Sequence, residues 1–507
     1  MSNVSEMPRE QTSALRHLDV IIVGAGLSGI GAACHLEREL PGKSYAILES
    51  RDAIGGTWDL FRYPGIRSDS DLHTYGYEFK PWVDEKSIAD GPAILRYIEE
   101  TAAEYGVERH IHYGHRVVRA EFSSERALWT VHTRTREAHG ERDAVFTCSW
   151  LFCASGYYRY DQGYLPEFAG TERFAGAIVH PQHWPADLDY SGKRVVVIGS
   201  GATAVTLVPA MTDRAAHVTM LQRSPTYVVS LPEKDPVANL LKRFLSPQRA
   251  YALARRKNIW LQRTIYELSQ KHPALVKRWL RRRLERRLPK GYDIDTHFTP
   301  TYDPWDQRLC AVPDGDLFEA ISAGQASVVT DRIEHFTEHG IRLASGRELA
   351  ADIVVTATGL DLLALGGIEV LVDGTPVDLA EKLVYKSAML SDVPNMVFVF
   401  GYTNSSWTLK LDLVCEYICR LLALMDRRGE EIAVAVNDDP TMPTRPFLDF
   451  GAGYVRRAVD RFPRQGTRGP WQVRMSYAAD LRMLRHGPID DGVLRFSSTR
   501  RRLPRAA

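Results

Sequence analysis

The chain is expected to fold as an α/β protein, because one strand–turn–helix signature occurs in it twice. A short apolar run, Val20-Ile21-Ile22-Val23, ends in Gly24-Ala25-Gly26-Leu27-Ser28-Gly29 and opens a helical segment. A second run, Val195-Val196-Val197-Ile198, ends in Gly199-Ser200-Gly201-Ala202-Thr203-Ala204 and does the same. Continuous apolar runs of this length fit parallel strands buried on both faces. The two units therefore predict two Rossmann-like dinucleotide-binding domains. Composition agrees with a multidomain globular chain: 507 residues, 44% hydrophobic and 25% charged. With 64 basic against 63 acidic side chains the net charge is +1, so no nucleic-acid-coating surface is expected. Six cysteines in this length argue against a disulfide scaffold. The first eighteen residues carry no apolar signal core, and no apolar stretch reaches spanning length. The expectation is a soluble, cytoplasmic protein.

Each element follows in order. The first helix runs to about Leu40, where Pro41-Gly42 stops it, and the strand Tyr45-Ala46-Ile47-Leu48 closes on Glu49. Phe152-Cys153-Ala154-Ser155-Gly156 and Val355-Thr356-Ala357-Thr358-Gly359 put small residues after apolar runs, where the chain is expected to cross between domains. The second unit continues through a helix into His217-Val218-Thr219-Met220-Leu221. The predicted layout is a first domain over 1–156, a second over 157–231, a basic helical insertion over 232–300, the rest of the second domain over 301–360, and a return to the first over 361–507.

Glycine spacing of this kind has a physical purpose. Gly24 permits the tight turn, Gly26 lets backbone approach a pyrophosphate, and Gly29 lets helix and strand pack closely. Phosphate then rests on free N–H groups at the helix N-terminus. What each site takes follows from the end of its second strand. Glu49, 25 residues after Gly24, can accept hydrogen bonds from a ribose diol, which suits the ADP half of FAD. The second unit carries Gln222-Arg223-Ser224 there, with no acid. A 2′-phosphate is repelled by a carboxylate and welcomed by Arg223, so this site suits NADPH over NADH.

Further motifs carry a resemblance. Gly55-Gly56-Thr57-Trp58 and Tyr63-Pro64-Gly65-Ile66-Arg67-Ser68-Asp69 follow the first unit. The run from Phe174 to Pro185, with Gly176, His180 and Trp184, fits FxGxxxHxxxWP. This is the fingerprint of type I Baeyer–Villiger monooxygenases, and the chain resembles that family over nearly its whole length. The resemblance implies FAD, NADPH and O₂. One oxygen atom would enter a ketone, giving an ester or lactone, or the sulfur of a thioamide or sulfide; the other would leave as water. It adds Ser28, Thr57, Trp58, Asp59, Leu60, Arg67, Ser68, Asp69 and Val117 to the flavin site. To the NADPH site it assigns Gly199, Ser200, Gly201, Ala202, Thr203, Ala204, Val205, Gln222 and Arg223. The family's active-site arginine falls on Arg308 and the aspartate that orients it on Asp69; the arginine would stabilise a C4a-peroxyflavin. Many members carry lysine before this arginine, where this chain has Gln307, so NADPH preference leans on Arg223. His180 is read as a hydrogen-bonded hinge residue rather than an acid.

Other readings are weaker. Cys148 and Cys153 have the C-x4-C spacing of redox-active disulfides, but on a strand an offset of five puts them on opposite faces. Cys415 and Cys419 share a helix face at i,i+4 and fit packing. No histidine or cysteine grouping suggests a metal. The basic stretch from Lys242 to Lys290, interleaved with Trp260, Tyr266 and Trp279, could make peripheral contact with an anionic membrane; a solvated helical face is the plainer reading. A flavin-containing N/S-oxygenase is the alternative enzyme, against which Trp184-Pro185 and Arg308 speak. A membrane-surface or partner-binding flavoprotein without turnover is the alternative outside enzymes.

Overall fold

The strand His17–Val23 lies at the centre of the first domain, and Ile21 and Ile22 within it are inaccessible to solvent. A computed structural model describes residues 17–137, 140–307, 309–449 and 451–499. His17–Val23 runs parallel to Tyr45–Leu48 on one side and to the end of Gly140–Cys153 on the other. The sheet then continues as an antiparallel meander through Leu128–Glu137 and His115–Ser123. The register of His115–Ser123 slips between Val117 and Arg119, an irregularity of the kind that re-aims a side chain. The helix Leu27–Glu39 is sandwiched between this sheet and the long helix Trp407–Arg428, whose side chains share its core.

A five-stranded parallel sheet forms the second domain among the described residues. Arg194–Ile198 lies between His217–Gln222 and Ile353–Thr356, so the second glycine turn leaves the carboxyl end of a central strand, as the first does. Both expected Rossmann-like units are present.

The chain crosses between the domains twice, and the crossings run side by side. Arg159 N donates to Asp361 O (2.9 Å), Leu363 N to Tyr157 O (3.0 Å) and Tyr164 N to Gly359 O (3.2 Å). An Arg159–Asp361 ion pair (2.8 Å) joins them. The fingerprint segment is built around this double crossing. Gln182, buried, donates its amide to Arg159 O (2.8 Å) and Tyr160 O (2.9 Å). The His180 ring accepts from Gln182 N (3.2 Å) and lies so close to Gly163 that a Cβ there would sit 2.0 Å from it. Burial holds the imidazole below its ordinary pKa. Phe174 meets Phe336 edge-on at 5.9 Å, inside the second domain's core.

Two sequence expectations are corrected by packing. Cys148 and Cys153 do not face opposite layers: both are free thiols in one apolar cluster, and burial pushes Cys153 up to about 12. Alternation breaks at Cys148, where the antiparallel neighbour ends and only parallel partners continue. The basic helices also are not a purely solvated face of the second domain. The helix Pro247–Lys271 leans on the first domain, where Arg255 is buried against the carbonyls of His73 (3.1 Å) and Gly76 (2.8 Å) and pairs with Asp412 (2.9 Å). Asp412 also accepts from Glu78 N (2.9 Å). Asp412→Ala strands a buried guanidinium and is expected to cost about 3–5 kcal/mol in urea unfolding of the holoprotein.

Candidate active site

A cavity of about 1570 Å³ runs between the two domains and the insertion. That exceeds the roughly 300–1,000 Å³ of a pocket for one small ligand. Its walls start at the first glycine turn. Gly24 has φ +100°, and a Cβ on Gly29 would sit 1.8 Å from the Gly24 carbonyl oxygen. The helix Leu27–Glu39 begins at Gly26 with no side-chain cap and no acid in its first turn, so its N–H groups are left for an anion. Gly26, Leu27 and Ser28 line the cavity there. Gly55 (φ +109°) and Gly56 (φ +56°) bring a second loop against Gly26.

Glu49 is buried at the end of Tyr45–Leu48 and lines the same wall. Its carboxylate accepts from Ala25 N (2.7 Å) and Arg51 N (2.9 Å). Two backbone donors fix its orientation, and lone pairs remain for ribose hydroxyls. These features, an open cradle with an uncapped helix end and a pre-oriented acid, fit an adenine dinucleotide bearing a free ribose diol.

Thr57, Trp58 and Leu60 line the cavity on the short helix Thr57–Leu60. Thr57 shares a hydrogen bond with Tyr160 (3.2 Å), whose phenol burial pushes up to about 12. Trp58 Nε1 donates to Tyr75 (2.9 Å), and Ser28 accepts from Trp407 Nε1 (2.7 Å). Asp59 does not line the cavity. It is buried on the far side of its helical turn, paired with Arg51 (2.5 Å) and Arg62, and acts as an anchor. Arg67, Ser68, Asp69 and Val117 all reach the wall. Arg67 crosses to the second domain, pairing with Asp316 (2.5 Å) at the start of the helix Asp316–Ser322. Ser68 donates to Ser70 O (2.8 Å).

The second cradle repeats the first with one change. Gly199 has φ +140°, and a Cβ there would sit 2.3 Å from Ala357 O, whereas Gly201 has no atom within 4 Å of that position. The helix Ala202–Met211 is also uncapped and free of acids in its first turn. Ala204 is wholly buried at the third position, where this helix leaves room for a methyl group. Ala202 lines the large cavity; Gly199, Ser200, Gly201 and Thr203 lie beyond its lining. Val205 is a core residue of the second domain. Gln222 is turned inward, donating to His297 O (2.8 Å) and Thr330 Oγ1 (2.9 Å). Arg223 beside it is exposed and has no ion pair among the described residues.

Arg308 lies outside the described residues. Trp305 and Leu309 on either side of it line the cavity, and Trp305 holds φ +76°, rare for an aromatic residue. Sequence reasoning missed Arg51, Tyr160 and Trp407. The dense aromatic run Tyr157-Tyr158-Arg159-Tyr160 after the strand end was the available signal for one of them.

Two glycine-turn cradles, the first lining the interdomain cavity and the second reaching it through Ala202, define the architecture of a two-dinucleotide oxidoreductase. The chain belongs to the flavin-binding monooxygenase-like family, which matches residues 84–364, while residues 22–83 match the NAD(P)-binding Rossmann-like domain. It is 54% identical over 482 residues to the FAD-containing monooxygenase EthA of Mycobacterium tuberculosis (strain CDC 1551 / Oshkosh), covering 95% of this chain and 98% of that one. With EthA of Mycolicibacterium smegmatis the identity is 53% over 485 residues, covering 96% and 98%. Among solved structures, an oxidized steroid monooxygenase bound to NADP superposes with a TM-score of 0.70 at 23% identity, covering 83% of this chain and 88% of that chain. That likeness bears out the fold. The resemblance read from the fingerprint is borne out at the level of the family.

Proposed function

We propose that this protein is an FAD- and NADPH-dependent monooxygenase that converts ketones to esters or lactones and also oxygenates the sulfur of thioamides or sulfides. The observation that carries the reading is a single cavity whose lining includes Gly26 and Glu49 of the first cradle, Ala202 of the second, and Asp69. Bound there, the flavin would take hydride from NADPH and supply activated oxygen.

The chain's own residues supply the rest. Glu49 holds the adenosine ribose of the flavin coenzyme, and the Leu27–Glu39 helix end holds its pyrophosphate. Arg67, tied to Asp316, fixes the two domains at the spacing the two coenzymes need. Arg308 supplies a cation that steadies negative charge developing on oxygen during transfer, and Asp69 orients it. Tyr160 stays a neutral phenol at working pH, so it orients by hydrogen bonding and carries no charge.

The test is NADPH consumption by the yellow holoenzyme with linear, cyclic and aryl ketones and thioamides, with products identified. Faster consumption matched by ester or S-oxide supports the reading; no product with any member overturns it. Arg223→Ala is expected to raise KM for NADPH by about ten- to hundredfold, the worth of a lost charge-assisted phosphate contact, while KM for NADH stays within about twofold. Equal rises for both would remove Arg223 from the 2′-phosphate.

A further inference from the structure

The helices Pro236–Phe244, Pro247–Lys271 and Pro273–Glu285 expose apolar side chains in a way the rest of the described surface does not. Phe244 is 78% exposed and Trp260 65%, and Leu240, Leu253, Leu268 and Leu275 are also open to solvent. These side chains sit on exposed faces: 240 and 244 are one turn apart, and 253, 260 and 268 fall on one stripe of their helix. The same three helices build the rim of the large cavity. Val237, Leu261, Ile265 and Trp279 are exposed and line it at once, so the apolar patch surrounds an opening.

Charge on this patch is overwhelmingly positive. Residues 242–290 carry sixteen lysines and arginines against Glu267 and Glu285 alone. Part of that charge is used internally, by Arg255 with Asp412, Lys277 with Asp303 and Arg281 with Asp295. Arg243, Arg249, Arg256, Arg278, Arg282 and Arg286 are exposed and make no ion pair among the described residues. On the long helix, Arg249, Arg256 and Arg263 run beside the Leu253–Trp260–Leu268 stripe. Arg283 lies over the Trp279 ring at 4.8 Å.

A basic helical face interleaved with tryptophan, phenylalanine and leucine fits the boundary of an anionic bilayer, where aromatic rings enter the headgroup layer and cations meet lipid phosphates. Among the described residues no helix is long and apolar enough to cross a membrane, so the contact is peripheral. We propose that these three helices dock the protein on an anionic lipid surface, with the mouth of the cavity turned toward the lipid. A nucleic acid would meet the same charge and could stack on Phe244 and Trp260, but it leaves the exposed Leu240, Leu253, Leu268 and Leu275 without a role. The docking claim stands independently of which substrate is oxygenated, because it is read by binding.

Holoprotein is sedimented with vesicles of phosphatidylcholine alone and with vesicles containing phosphatidylglycerol at 30 mol %, in about 0.1 M and 0.5 M salt. The expected result is at least tenfold stronger partition onto the anionic vesicles, lost in high salt. The Phe244→Ser/Trp260→Ser protein should lose about tenfold in partition with its NADPH oxidation unchanged, and Arg282→Glu/Arg286→Glu should do the same. As the six described cysteines are all buried, Phe244→Cys can be labelled with an environment-sensitive dye, whose emission should shift to the blue with anionic vesicles. Equal partition onto both vesicle types, no partition in low salt, or no dye shift would overturn the proposal. So would a concentration-dependent dimer abolished by the Phe244→Ser/Trp260→Ser change, which would assign the patch to a second copy of the chain.

Discussion

Arg308→Ala should leave flavin bound and NADPH oxidation running, while ketone oxygenation falls by about three orders of magnitude. The size follows from electrostatics. Two unit charges 4 Å apart at an effective dielectric near 20 attract by about 4 kcal/mol. If that attraction is realised only as charge builds on oxygen, it is worth nearly three decades in rate. Guanidinium is suited to the task because it keeps its charge at any working pH and cannot itself be consumed as a proton donor. The measurement is product formed per NADPH oxidised, with reduced oxygen released as peroxide making up the difference. A variant that still couples most of its NADPH to ester would remove Arg308 from the chemistry. Asp69→Asn is the gentler companion: it keeps the shape and removes the charge proposed to orient the cation.

Gly29→Ala should purify without its flavin. A methyl group at that position would sit 1.8 Å from the Gly24 carbonyl oxygen, about half an ordinary contact distance, and the obstacle is backbone that cannot swing aside. The helix must then rise off the turn, carrying away the N–H groups proposed to hold the pyrophosphate. Bound flavin, read from visible absorbance per protein, should fall below about a tenth of the wild-type content. Gly42→Ala is the control, since nothing lies within 4 Å of a Cβ there, and it should retain full flavin. Ala204 at the matching place in the second cradle shows that the effect is local to Gly29: there the buried third position already holds a methyl.

What was legible in the sequence was whatever local backbone geometry dictates. The turns at Gly24 and Gly199 need positive φ, the third position needs a small residue, and an acid at the end of the second strand must land near the turn. Those constraints operate within about thirty residues, so spacing alone reveals them. Direction of side chains was not legible where distant packing decides it. Asp59 sits next to two cavity residues yet faces Arg51 and Arg62, because a four-residue helical turn points neighbours different ways. Gln222 was read with Arg223 as one site, but a strand's alternation turns the first inward to His297 and the second out. Arg255 reads as one more surface cation until the fold brings Asp412, 157 residues away, to meet it. The apolar mouth of the insertion is half visible in sequence: tryptophans stand among arginines, but that three separate helices share one rim is a tertiary fact.

The most direct test of the account is isotopic. The holoenzyme is supplied with NADPH, a ketone it consumes and ¹⁸O₂, and the ester is weighed by mass spectrometry. The account predicts one ¹⁸O atom per ester molecule and a second in water, with one NADPH oxidised for each. An ester without label, or label acquired only from H₂¹⁸O, would contradict it.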